Sequence, residues 1–255
     1  MIYKNISKIS EKDKVSFLNV RADQRTSKII GIKKLTEIIR NATYIKQISE
    51  LRAFFPFLTI DKEGNLDLQK REVGKGIPEV CFSEIIKMEN GSEVFCGYTG
   101  YVLLEVKNLS EYDEARRLRM VAAEMPQTVM AFMGADGRSV EIVCRAEPTD
   151  GELPMTEKEA YSFQLKAYRM AYLAYSAQLG ITIDNLEPRL NRTCLVSADT
   201  ELYFQEDAVP FYINSEKSPT TLKPCNTIDK NDVGRDDLMP GYDINKTRRY
   251  VFQCC

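Results

Sequence analysis

The chain has 255 residues, 44% of them hydrophobic and 28% charged, enough for one generous α/β domain or two small ones with a full core. It contains no histidine, which excludes Ser/His and Cys/His catalysis, histidine zinc sites and imidazole acid–base chemistry. The net charge of −2 exerts no global pull on nucleic acid, but residues 1–52 hold 12 Lys/Arg against 5 Asp/Glu, leaving residues 53–255 at −9.

Residues 1–30 read as a basic arm with a short strand near Val15 to Val20. Its charge fits either phosphate contacts or a solvated surface. Leu35, Ile38 and Ile39, then Ile45, Ile48 and Leu51, recur at helical spacing and predict two short helices over 33–40 and 43–54. A turn is expected at 61–65, and the loop Gly74 to Pro78 enters a strand at Glu79 to Phe82. A buried strand over 100–106 ends at Asn108-Leu-Ser110, where the serine is placed to cap a helix of 111–125. After Pro126, two alternating strands at 128–132 and 139–145 flank a tight loop, Gly134 to Gly137. Thr156-Glu-Lys-Glu159 is a capping box that opens the longest helix, which ends at Gly180. Its Tyr161, Tyr168, Ala171, Tyr172 and Tyr175 read as a packing face. A last buried strand covers Thr193 to Ser197, and residues 215–255 read as a polar, largely irregular tail.

Together these elements predict an α/β (α+β) fold with a mixed or antiparallel sheet covered by helices, in one domain over residues 31–214. The seven cysteines are odd in number, have no CxxC spacing and mostly sit in apolar runs, as expected of buried thiols in a reducing compartment. No apolar run approaches the roughly 18 residues of a membrane helix. A soluble, cytoplasmic protein without membrane contact is therefore expected.

Residues 105 and 107 share one face of their strand, so Glu105 and Lys107 arrive together at its end. On residues alone they read as a surface salt bridge worth about 0–1 kcal/mol. Gly134 to Gly137 reads as an ordinary hairpin turn. Arg192 and Asp199 flank a buried strand and fit either an ion pair or a ligand role.

Four segments taken in order resemble the VirE N-terminal domain family, a primase-polymerase-like group of the archaeo-eukaryotic primase superfamily found in mobile elements, phages and Bacteroides-type genomes. They are Lys75-Gly-Ile-Pro78-Glu-Val-Cys-Phe82, Tyr98-Thr-Gly-Tyr-Val-Leu-Leu-Glu105-Val-Lys107-Asn-Leu109, Phe132-Met-Gly-Ala-Asp-Gly137-Arg-Ser-Val-Glu141-Ile-Val143, and Arg192-Thr-Cys-Leu-Val-Ser197-Ala-Asp199-Thr-Glu-Leu-Tyr203. The resemblance implies an RRM-like palm in a DNA replication module, with Glu105, Lys107 and Asp199 at the catalytic acidic positions and Mg or Mn held by Glu105 and Asp199 if at all. It further implies nucleotide or nucleic-acid contacts from Gly134, Asp136, Gly137, Arg138, Glu141, Arg192 and Ser197.

The sequence departs from the family where Lys107 stands at an acidic position and where Gly-Ala-Asp replaces a Ser-Pro-Ser hairpin. A cation repels the metal it should help hold, so a degenerate site without a bound metal and with weak or absent polymerase activity is expected. The alternatives are an active divergent primase-polymerase using Glu105, Glu141 and Asp199, or a non-catalytic protein-interaction module on the same scaffold. DNA is the expected partner. No P-loop motif occurs, so an accompanying helicase or ATPase would be a separate chain.

Overall fold

Apolar residues in the strands after residue 100 build a central sheet with two buried faces. The computed structural model describes residues 13–21, 24–54, 74–149, 152–183 and 188–214. The segment before residue 13, the turn expected at 61–65 and the tail 215–255 lie outside the described residues.

In chain order the elements are β1 (Lys14–Arg21), β2 (Gln24–Gly31), α1 (Ile32–Arg40), α2 (Ile45–Phe54), β3 (Glu79–Cys81), β4 (Glu84–Glu89), β5 (Ser92–Tyr98), β6 (Tyr101–Val106) and α3 (Tyr112–Ala123). They continue with β7 (Thr128–Met133), β8 (Val140–Pro148), α4 (Glu157–Leu179), β9 (Thr193–Leu195), β10 (Tyr203–Phe204) and β11 (Phe211–Ile213). The fold is α+β. The central sheet runs β10-β7-β8-β6, with β11 added parallel to β8, and a second sheet runs β2-β1-β3-β9. Because β6 and β7 both lie antiparallel to β8, the unit β6-α3-β7-β8-α4 is a split βαβ arrangement.

One face of the central sheet presents Val102, Leu104, Ile142 and Cys144 to α3 and α4, where Leu118, Phe163, Tyr168, Tyr172 and Tyr175 meet them. The other presents Tyr101, Leu103, Phe132 and Val143 to Val15, Phe17, Val80 and Cys194 of the second sheet and to Ile39, Ile48 and Leu51 of α1 and α2. No helix among the described residues is long and apolar enough to cross a membrane.

Two expectations are corrected here, and one hairpin is added. The segment 14–31 is no peripheral arm: β1 pairs with β2 on one side and β3 on the other, and Val15, Ser16, Phe17 and Leu18 are all buried. The four consecutive buried residues lie between charged and polar neighbours, which mask them in the chain. Ser110 does not cap α3. The N-cap is Glu111, and the Glu114 carboxylate instead reaches back to accept from the Ser110 amide at 3.2 Å and its hydroxyl at 3.0 Å. The hairpin β4–β5, absent from the sequence reading, turns at Asn90-Gly91 with φ of 52° and 80°. An Asn-Gly pair with two positive φ angles is the strongest short hairpin signal, and it was present in the chain.

The capping box holds as read: Thr156 Oγ1 accepts from the Glu159 amide at 3.3 Å while the Glu159 carboxylate accepts from the Thr156 amide. Gly180 closes the helix at φ 68°.

Candidate functional site

Glu105 on β6 lies directly opposite Glu141 on β8, in a pairing that also aligns Leu103 with Val143 and Tyr101 with Arg145. Directly opposed side chains on one sheet face have Cβ atoms about 5 Å apart, so two carboxyl groups share a small interior space. Both residues are 5% exposed. What separates them chemically is their partners. Arg192 Nη1 donates to Glu105 Oε2 at 3.0 Å, and Lys107 Nζ stands 3.4 Å from Oε1. One cation brackets Glu105 on each side.

Among the described residues Glu141 has no such pairing, and its Oε2 finds no hydrogen-bond partner. Burial, and then the charge of Glu105, push its carboxyl well above the usual range, against a smaller opposing pull from Lys107 and Arg192. The pair thus divides into a salt-bridged acid, Glu105, and an acid that holds its proton more tightly than usual, Glu141. Cys194 on the facing strand β9 is pushed up by the same burial and the same two acids, so it is a neutral thiol and no nucleophile.

The hairpin between β7 and β8 is closed on itself. The Gly134 amide donates to Ser139 O, the Gly137 amide to Gly134 O, and the Arg138 amide to Asp136 Oδ1, which also accepts from Ser139 Oγ at 2.7 Å. Three amides of the turn are thus occupied within the hairpin. Two of its carbonyls are occupied as well. Arg52 of α2, which the sequence reading did not single out, donates to Gly134 O, Ala135 O and Ala198 O, tying the hairpin to the segment after β9.

Gly134 has a steric reason to be glycine. A Cβ there would stand 1.9 Å from Ser139 Oγ and 3.2 Å from Glu141 Oε1. Gly134→Ala is expected to displace Ser139 from Asp136 and to cost about 1–3 kcal/mol in urea unfolding. Unchanged stability would show that the hairpin relaxes freely.

Asp199 belongs to a different cluster. Arg119 Nη1 reaches its two oxygens at 2.7 and 2.9 Å, and the amides of Met133 and Glu201 donate at 2.9 and 3.0 Å. Since the Gly134 amide points toward β8, the Met133 amide one residue earlier points to the opposite, β10 edge of β7, and there Asp199 sits. Met133 and Val106 both pair with Val140, so Asp199 and Glu105 mark the same end of the sheet. They are nonetheless divided by at least two strand spacings, about 10 Å.

The expected metal pair, Glu105 with Asp199, is therefore not brought together, and each acid is already engaged by arginine. Among the described residues no three His, Cys, Asp or Glu side chains stand close enough to hold a metal ion. This donor set does not fit Mg or Mn. Ser197 is fully buried, and its Oγ has no hydrogen-bond partner among the described residues. Arg119 was legible in principle, because it shares the buried helical face of Ala115, Leu118 and Ala122, where an arginine demands an acid.

Among known protein families, the model described as BT4734-like, N-terminal domain matches residues 72–204, just over half of the chain. No curated protein and no solved structure matches.

Proposed function

The chain belongs to the BT4734-like N-terminal domain family, and we propose that it is a primase-polymerase-like domain of a mobile-element or phage DNA replication module that binds nucleic acid without a working metal site. The observation that carries this reading is the Lys107–Glu105–Arg192 triad at the end of β6, bounded by Glu141. A palm that polymerises needs two or three carboxylates free to hold divalent metal against triphosphate. Here the acid at that place is bracketed by two side-chain cations.

Phosphate attraction then comes from the protein itself. Lys107 and Arg192 keep about a fifth of their side chains exposed beside Glu105. Three of the four segments that carry the resemblance to primase-polymerases supply this triad and its surroundings, namely 98–109, 132–143 and 192–203.

Fluorescence anisotropy with a single-stranded DNA oligonucleotide tests the reading. Affinity is expected at low salt, falling log-linearly as salt rises. Lys107→Ala should flatten the slope by about one unit. Primer extension with Mg or Mn should stay blank. Extension above background would revive the active enzyme, and no binding at low salt would leave the protein-interaction module.

A further inference from the structure

We propose that the groove between α1, α3 and the β10 segment is a single-stranded DNA contact, seating a base against Tyr203 and a phosphate on Arg40. This rests on the nucleic-acid-binding reading above and names a surface which that reading does not. The groove has a volume of about 380 Å³, and Arg40, Met120, Ala123, Tyr203 and Phe204 line it together with Arg119 and Glu201. That volume is at the small end of ligand sites and suits one nucleotide.

Its charges do not cancel. Arg119 is consumed by Asp199 and Glu201, and Arg116 closes on Glu201 through both of its oxygens at 2.8 and 3.0 Å. Those hydrogen bonds, Arg119's first and Arg116's second, hold the Glu201 carboxyl below its ordinary range. Asp199 and Glu201 therefore turn no free negative charge toward the groove.

Arg40 is different. Its Nε and Nη2 donate to Leu202 O at 3.3 and 3.0 Å, and among the described residues no carboxylate pairs with it. It is a cation fixed in orientation by a neutral carbonyl. Met120, 59% exposed, stands on the α3 wall; half-buried Tyr203 packs on the α3–α4 side of β10 and half-buried Phe204 on its α1–α2 side. Aromatic and thioether surface beside a fixed guanidinium matches the base-and-phosphate alternation of a single strand. A duplex, with its bases stacked inside, would use only the charge.

The test is anisotropy with a labelled oligothymidylate at low salt. Met120→Glu puts a negative charge in the groove at an exposed helix position that folding tolerates, and should weaken binding about tenfold or more. Tyr203→Ser should do the same and Tyr203→Phe should not. Met155→Glu, at a residue 87% exposed outside the groove, is the control and should leave binding unchanged. If the wild type binds DNA and Met120→Glu and Tyr203→Ser bind equally well, the groove is overturned while nucleic-acid binding stands. If the wild type does not bind, both fall together.

Discussion

Glu84→Gln is expected to be nearly neutral for stability at pH 4 and to stabilise the protein by as much as about 3 kcal/mol at pH 8. Glu84 opens β4, is buried, and has no arginine or lysine paired with it among the described residues. Burial first, then the charges of Glu157 and Glu93, raise its carboxyl from 4.5 to about 7. Between those two values the folded protein keeps a proton that the unfolded chain has released, so folding stability falls as pH rises through the window. It is complete below 4.5 and lost by about 7. Glutamine keeps the shape without the charge and removes the dependence.

Glu141→Gln follows the same sign over a window that begins at 4.5 and extends upward, with the added gain that an amide can donate toward Glu105. Urea unfolding of wild type and both variants at several pH values reads the difference directly. Parallel curves, displaced by a constant amount at every pH, would mean that neither carboxyl is held neutral by the fold.

The parts of the molecule legible in the chain are those decided locally. Thr156 and Glu159 cap α4 because their chemistry is complete within four residues, and Glu105 and Lys107 come to one face because a strand alternates. Neither property needs the rest of the fold. The partners were not legible. Arg192 reaches Glu105 across 87 positions only because β9 joins β3 in the second sheet, which lies against the face of β6 that carries Glu105.

The separation of Asp199 from Glu105 is equally non-local. Nothing in the spacing of the late Val-Ser-Ala-Asp segment says on which edge of β7 the acid will lie; the direction of one amide, that of Met133, settles it. The burial of β1 was not legible for a related reason. Its pattern is that of a half-exposed strand, yet Ser16 is buried because its hydroxyl accepts from the Ile86 amide and donates to Glu84 O, contacts made about seventy residues away.

The largest single effect should come from Arg119→Met, which is expected to destabilise the protein by about 3–5 kcal/mol. Arg119 is 4% exposed on the inner face of α3 and bonds both oxygens of Asp199, itself 4% exposed. Methionine fills similar space, so packing is largely kept and the change isolates charge. What remains is a buried carboxylate with two backbone amides and no cation, and stranding a buried charge costs far more than a surface pair is worth. Asp199→Asn in the same chain should recover part of the loss by removing the stranded charge, so the two substitutions will not add. Glu201 supplies an independent readout. Half-exposed, it is held below the ordinary carboxylate range first by Arg119 and second by Arg116, so its titration, followed by NMR, should move upward in Arg119→Met. A loss below about 1 kcal/mol in urea unfolding, or a Glu201 titration that does not move, would mean that Asp199 is held by the Met133 and Glu201 amides alone. An acid that does not need its arginine could be released to a ligand, and the case against a metal at that end of the sheet would have to be reopened.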